Sequence, residues 1–162
     1  MQLKKIVAHG EFHLYENTSQ IFLSGGEGRE DFENLINAAQ KAVKHGYTVY
    51  LLPNPDNIRS ADFIFVRKGV YKLYDLKTIT GRSSAENRLV ESIGQTNRVL
   101  LNITSEYNPS SLARSIKRYF ECNEAALEVL VFKGRKMVSV TRDLTLSRNY
   151  YQLFMKRYRN GK

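Results

Sequence analysis

The segment from Tyr71 to Gly81, "YKLYDLKTITG", places two charged residues where a β-strand would continue its apolar face. Asp75 and Lys77 are two residues apart, so in a strand they project from the same face as Tyr71 and Leu73. At the margin of a core, such charges lose hydration unless they pair with each other or hold a ligand. The spacing therefore indicates a candidate site.

A predicted hairpin brings a second carboxylate to the same place. The segments "ADFIFV" and "VYKLYDLK" are separated by "RKG", in which Gly69 supplies the turn. Antiparallel pairing then places Asp62 beside Asp75 and Lys77. Two converging carboxylates repel each other, and a divalent cation relieves that repulsion and acts as a Lewis acid on a phosphate. A nearby lysine positions the attacking water, helps to deprotonate it and offsets charge in the transition state.

The elements that position these residues alternate along the chain. Short strands are predicted in residues 1–28, and apolar residues at helical spacing predict a helix over 32–43 that stops at "KHG". A second helix follows a capping box formed by Ser83 and Glu86, and a third covers residues 109–120. Strands are predicted at "YTVYLLP" and "RVLLNI", and a last hairpin at "LEVLVF" and "KMVSV". This order predicts an α/β fold, a single domain with a central mixed β-sheet flanked by helices.

The composition favours a basic protein that binds a polyanion. The chain has 162 residues, with 25 Lys and Arg against 16 Asp and Glu, and a formal net charge of +9. Nucleic acid is the commonest partner of such a charge excess. No stretch has the length and apolarity of a membrane-spanning helix. The single Cys122 excludes an intramolecular disulfide and is expected to be buried, and with no signal peptide visible at Met1 we expect action in a reducing cytoplasm.

The two acids and the lysine resemble the active site of the PD-(D/E)xK nuclease superfamily, which has the restriction-endonuclease-like fold. Asp62 matches the first acid, and Asp75 and Lys77 match the acid-x-Lys element, while Ala61 stands where the name motif has Pro and Asp75 is used rather than Glu. Over residues 31–140 the order "YTVYLLP", "ADFIF", "YDLKT" and "GQTNRVLLNI" resembles the nuclease domain at the C-terminus of CdiA contact-dependent inhibition toxins. That family includes tRNA-cleaving members, and related domains are appended to phage head proteins.

The resemblance implies a metal-dependent endonuclease. Asp62, Asp75 and an acid from the preceding helix would hold Mg²⁺ or Mn²⁺, with Zn²⁺ as an alternative, and Lys77 would position the water. Glu33 is the predicted helix acid because it borders the apolar stripe on a helical wheel, and Gln95 lies where the family pattern often has a Gln-containing helix end. RNA, especially tRNA, is favoured over DNA through this resemblance alone. It also implies an acidic immunity protein as partner, and delivery to the cytoplasm as part of a larger secreted or phage-associated protein.

Basic side chains outside the hairpin are predicted to hold the substrate. They are Arg82, Arg88, Arg98, Arg148, Lys156, Arg157 and Arg159. In the C-terminal segment, four aromatic residues interleave with these charges at helical spacing and either stack on bases or dock on the body of the domain: Tyr150, Tyr151, Phe154 and Tyr158. The predicted organisation is thus strands in 1–28, a nuclease core in 29–140 and a basic aromatic segment in 141–162. Trimming the chain after Thr141 is expected to weaken binding more than folding.

Two other functions are compatible with the sequence. His9 and His13, on one face of a predicted early strand, would be the acid and base of a metal-independent ribonuclease. Alternatively the chain is a non-catalytic nucleic-acid-binding or structural domain, in which Asp75 and Lys77 are a solvated cross-strand pair.

Overall fold

The computed structural model describes residues 2–25, 27–53, 61–81 and 84–161. The chain forms two compact units, Met1–Leu76 and Lys77–Lys162. Each unit combines β-strands with α-helices, and parallel and antiparallel strand pairs both occur, so the predicted α/β class with a mixed sheet is confirmed. No helix among the described residues is long and apolar enough to cross a membrane.

The described residues of the first unit form five strands and two helices. They are α1 (Gln2–His9), β1 (His13–Leu14), β2 (Ile21–Leu23), α2 (Phe32–Lys44), β3 (Thr48–Leu51), β4 (Phe63–Arg67) and β5 (Val70–Ile79), the last three residues of which belong to the second unit. The strands are ordered β1-β2-β3-β4-β5, with β2 and β3 parallel and the other pairs antiparallel.

Helix α2 forms as the sequence predicts. Its apolar residues recur every three or four positions, and the buried ones lie on one face: Leu35, Ile36, Ala38, Ala39 and Ala42. The chain leaves the helix through Gly46, whose φ of +88° is a left-handed conformation that glycine adopts without strain.

The predicted hairpin is also confirmed. Strands β4 and β5 pair antiparallel, with Phe65 opposite Lys72 and Arg67 opposite Val70. Only two residues connect the strands, and both Lys68 (φ +52°) and Gly69 (φ +77°) are left-handed, as a type I′ turn requires. This register determines which residues of β5 lie beside the N-terminal end of β4.

The prediction of strands at the N-terminus is wrong for its first part, which forms helix α1. Leu3, Ile6 and Val7 have the spacing of one helical face, whereas strict alternation is missing there. The helix ends at His9 and is followed by Gly10, where a Cβ would collide with the ring of Phe12. His9 therefore ends a helix and His13 begins β1, and the two do not share a strand face.

The second unit has four helices and three further strands. They are α3 (Ala85–Ser92), β6 (Arg98–Ile103), α4 (Pro109–Cys122), β7 (Glu128–Lys133), β8 (Lys136–Thr141), α5 (Arg142–Leu146) and α6 (Tyr150–Asn160). Strands β6 and β7 are parallel, and β7 and β8 form an antiparallel hairpin, which confirms the predicted strands. Helix α4 begins at Pro109, as predicted. The inward residues of these strands share one core with α3, α4 and α6.

Helix α3 is capped by Ser84, whose Oγ accepts a hydrogen bond from the backbone N of Asn87 at 3.4 Å. Ser83, the predicted capping residue, lies outside the described residues. Leu89 is buried, but Val90 and Ile93 are 59% and 40% exposed, because the buried face of the helix runs through Ala85, Leu89 and Ser92.

Cys122 is exposed, which contradicts its predicted burial. It is the last residue of α4, whose buried positions are Leu112, Ala113, Ile116, Tyr119 and Phe120. Cys122 falls on the opposite side of the final turn, so its apolar character does not place it in the core.

The C-terminal helix is part of the core. Tyr150, Phe154 and Tyr158 are four residues apart, are 1%, 0% and 7% exposed, and pack in the second unit. The hydroxyl of Tyr150 donates to the backbone O of Ala113 at 2.7 Å. Docking, rather than base stacking, is therefore the role of these three rings. Trimming the chain after Thr141 would remove these rings from the core, so it should weaken folding as well, and whether it weakens binding more stays a prediction.

Candidate active site

Asp62 lies at the entrance to β4 and is buried, with 8% of its surface exposed. Its backbone N donates to the O of Tyr74 at 2.9 Å, and its carboxylate Oδ2 accepts from the N of Leu76 at 2.8 Å. Tyr74 and Leu76 are the two neighbours of Asp75 in β5. Asp62 is therefore held beside Asp75, as the hairpin predicts.

Asp75 is buried as well, with 3% of its surface exposed. A solvated cross-strand pair would leave this carboxylate in water, so that alternative does not describe it. Lys77 follows two residues later in the same strand and is partly buried. Ionised carboxylates at such positions need compensating charge or hydrogen bonds, because burial removes their hydration.

Arg29 is a site residue that the sequence analysis missed. Its Nη2 donates to Asp62 Oδ1 at 3.1 Å, and its Nε and Nη2 donate to the two carboxylate oxygens of Asp31 at 2.9 and 3.0 Å. The Arg29 side chain is 17% exposed, and one guanidinium thus joins the residue preceding α2 to the entrance of β4. Both oxygens of Asp62 accept a hydrogen bond, one from Arg29 and one from Leu76.

Asp62 and Asp75 supply oxygen ligands of the kind that a hard divalent cation binds, but the third predicted acid is not beside them. Carboxylate oxygens are the ligands that Mg²⁺ prefers, and each oxygen of Asp62 retains a second lone pair beyond the hydrogen bond it accepts. The predicted three-acid set is not formed, because the described part of the chain contains no group of three or more His, Cys, Asp or Glu that could hold a metal ion. Glu33 is exposed in the first turn of α2, whose buried face is turned elsewhere.

Gln95 lies just after the end of α3, in line with its predicted place at a helix end, whereas the two histidines lie in a different setting from that predicted. Gln95 follows α3 in a turn and is partly buried, and its backbone N donates to the O of Ser92 at 3.0 Å. His13 lies at the surface with its Nε2 3.4 Å from Glu27 Oε1, while His9 ends α1. The shared strand face that suggested a histidine acid-base pair is absent.

Two of the predicted substrate-binding arginines are held in ion pairs. Arg98 Nη1 lies 2.7 Å from Oε1 of Glu128, a buried acid, and Arg88 Nη1 lies 2.9 Å from Oε2 of Glu91. Arg82 lies outside the described residues. Arg88 and Arg98 are each paired with a carboxylate, so they are less available to a phosphate than the sequence alone suggests.

The remaining predicted cations lie at the C-terminus. Arg148 is exposed just before α6, Lys156 and Arg159 are exposed on it, and Arg157 is partly buried. Arg142, by contrast, is structural: its guanidinium donates at 2.8 Å to the backbone O of Phe120 and of Asn123, and so satisfies the end of α4.

Charge is divided unequally along the chain. Residues 1–76 contain nine Lys and Arg and nine Asp and Glu, whereas residues 77–162 contain sixteen and seven. The whole net charge of +9 therefore belongs to the second unit's sequence. Asp62 and Asp75 lie in the neutral part.

Comparison with known proteins gives one weak similarity. No family model matches the sequence, and no curated protein matches it. A chain of the CdiA-CT/CdiI toxin and immunity complex from Burkholderia pseudomallei is similar, with 16% identity and a TM-score of 0.49, covering 82% of this chain and 96% of that chain. Similarity at this level does not define an activity, so the case for a function rests on the residues described above.

Proposed function

We propose that the chain is a divalent-metal-dependent endonuclease of the PD-(D/E)xK type that hydrolyses phosphodiester bonds. The observation that carries the proposal is the burial of Asp62 beside Asp75, with Asp62 bonded to both neighbours of Asp75 in β5. Two buried carboxylates side by side are costly as ions, and a doubly charged cation offsets that cost. A divalent cation held by two carboxylates in a basic chain is suited to the hydrolysis of a phosphodiester.

In this proposal the two acids and the two basic residues have different roles. Asp62 and Asp75 would hold Mg²⁺ or Mn²⁺, which would supply a Lewis acid for the phosphate. Lys77, on the same face of the strand as Asp75, donates hydrogen bonds to the attacking water and to the phosphate oxygens. Arg29 keeps a positive charge at Asp62 and is placed to contact a phosphate bound there.

The substrate is proposed from charge and from the sequence resemblance. The +9 charge of residues 77–162 favours a polyanion. RNA, and tRNA in particular, follows from the resemblance to contact-dependent inhibition toxins, as does an acidic immunity protein that covers the site. In that setting the chain would act in the cytoplasm of a target cell after delivery as part of a larger protein.

Cleavage of total RNA and plasmid DNA, with and without Mg²⁺ or Mn²⁺ and with EDTA, tests the proposal. Lys77→Met keeps most of the aliphatic stem and removes the cation, so cleavage should fall by a factor of about 10² or more while folding survives. Lys72→Met is the matched control, because Lys72 lies in the same strand on the opposite face and pairs with Phe65. Asp75→Asn should also lose cleavage, but through weaker metal binding that excess metal partly restores.

The outcomes separate the alternatives. Cleavage by Lys77→Met at the rate of the parent would show that the acid-x-Lys element is not catalytic. Cleavage that persists in EDTA would favour a metal-independent ribonuclease. A parent protein that binds nucleic acid but cleaves none with metal present would be a non-catalytic binding domain.

A further inference from the structure

One aromatic residue of α6 faces solvent although the others are buried. The side chain of Tyr151 is 43% exposed, whereas Tyr150, Phe154 and Tyr158 fill the core. The core face of the helix is complete with those three rings. Tyr151 therefore presents much of its ring to solvent, although the ring centroid also lies 5.0 Å from that of the buried Tyr150.

Tyr151 lines an open surface pocket of about 480 Å³. The pocket is formed along α6 by Tyr151, Gln152, Met155, Lys156, Arg159 and Asn160. Its volume lies within the range of roughly 300–1,000 Å³ that is usual for small-ligand sites. One end of the pocket is aromatic and the other carries two cations.

Both charged residues that line the pocket, Lys156 and Arg159, are cations. Lys117 Nζ, on α4, lies 5.7 Å from the centre of the Tyr151 ring, within cation–π range. Lys156 and Arg159 are exposed, and neither forms an ion pair with an acid among the residues that the structure describes. The sequence of α6 contains no Asp or Glu. An anionic ligand with an aromatic part matches this arrangement.

We propose that this pocket binds one unpaired nucleotide of a single-stranded nucleic acid, with the base on Tyr151 and the backbone phosphates on Lys156 and Arg159. The inference deepens the proposed nuclease function by naming the substrate class as single-stranded or looped. Aromatic rings flanked by cations are how proteins hold unpaired bases without reading sequence. A base pair inside a duplex keeps its faces stacked on its neighbours, so the ring of Tyr151 selects against duplexes.

Binding of a fluorescein-labelled single-stranded RNA oligonucleotide to the full chain in EDTA tests this inference. Base stacking contributes about 1–3 kcal/mol per base, so Tyr151→Leu should raise the Kd by about 5- to 150-fold. Tyr151→Phe keeps the ring and should bind like the parent. Lys156→Gln and Arg159→Gln should each lower the slope of log K against log salt by about 0.7 to 1.

A duplex of the same sequence is the second ligand. Tyr151→Leu should leave its Kd nearly unchanged, and thermal unfolding should show that the variant is still folded at the assay temperature despite the lost ring contact with Tyr150. Equal Kd values for the parent and Tyr151→Leu on the single strand would overturn the inference, as would equal weakening on both ligands or no binding by the parent. Because cleavage is not required in EDTA, a failed nuclease proposal would leave this result interpretable.

Discussion

Replacing Asp62 with Asn separates a supporting role for this carboxylate from simple charge repulsion with Asp75. Oδ1 accepts from Arg29 Nη2 at 3.1 Å, and Oδ2 accepts from the N of Leu76 at 2.8 Å. Asparagine has one acceptor oxygen, so its amide nitrogen must face one of these two donors. A hydrogen bond to a charged group contributes about 1.5–3 kcal/mol, and leaving a buried donor without an acceptor costs a similar amount. We expect the free energy of unfolding to fall by about 2–3 kcal/mol, since the Asp62 and Arg29 side chains are only 11% and 17% exposed.

Equilibrium unfolding in urea, followed by circular dichroism near neutral pH, measures this change. Asp31→Asn is the matched control because Asp31 binds the same guanidinium but its side chain is 48% exposed, so its loss should cost less than about 1 kcal/mol. Relief of repulsion between the two acids would change stability in the opposite direction. An Asp62→Asn variant as stable as the parent, or more stable, would refute the reasoning that Arg29 and Leu76 stabilise the fold through Asp62.

Two further predictions concern stability alone. Partial burial and the nearby Arg67 guanidinium lower the pKa of His45 from its ordinary value of 6.5. The unfolded chain therefore binds more protons, and the free energy of unfolding should fall as the pH drops below that value. Urea unfolding between about pH 7.5 and 5.5 should show a smaller loss of stability for His45→Gln than for the parent. Arg142→Met removes the donors that satisfy the last carbonyls of α4 and should lower the free energy of unfolding, measured in urea, by about 1.5–3 kcal/mol. Arg135→Met, on an exposed turn, should change it by less than about 0.5 kcal/mol in the same measurement.

Local patterns predicted the parts of the fold that local chemistry decides. Helix α2 has a clear apolar period and a glycine stop, and the β4–β5 hairpin has alternating residues around Gly69. The hairpin register alone placed Asp62 next to Asp75. Helix α1 was mistaken for strands because a short apolar run followed by Gly10 fits either element.

Contacts between residues far apart in sequence could not be predicted in this way. The ion pair of Arg29 with Asp62 joins residues 33 positions apart, and neither residue's neighbours indicate it. A helical wheel gave the side of α2 on which Glu33 lies, but not the distance between α2 and the acids of β4 and β5. For the C-terminal aromatics, the period indicated an amphipathic helix, while only the packing of Tyr150 on Ala113 identifies the buried face and leaves Tyr151 outside it.

The division of charge along the chain bears on how the proposed polyanionic substrate would meet the protein. Residues 1–76 carry no net charge, so long-range attraction would act on residues 77–162, which carry +9. In the proposed function, the rate constant of diffusional capture would depend on residues 77–162, whereas metal binding for hydrolysis would depend on Asp62 and Asp75 in residues 1–76. Raising the ionic strength should slow capture while leaving the single-turnover rate of the bound complex nearly constant. The step that limits turnover would thus pass from chemistry or product release at low salt to encounter at high salt.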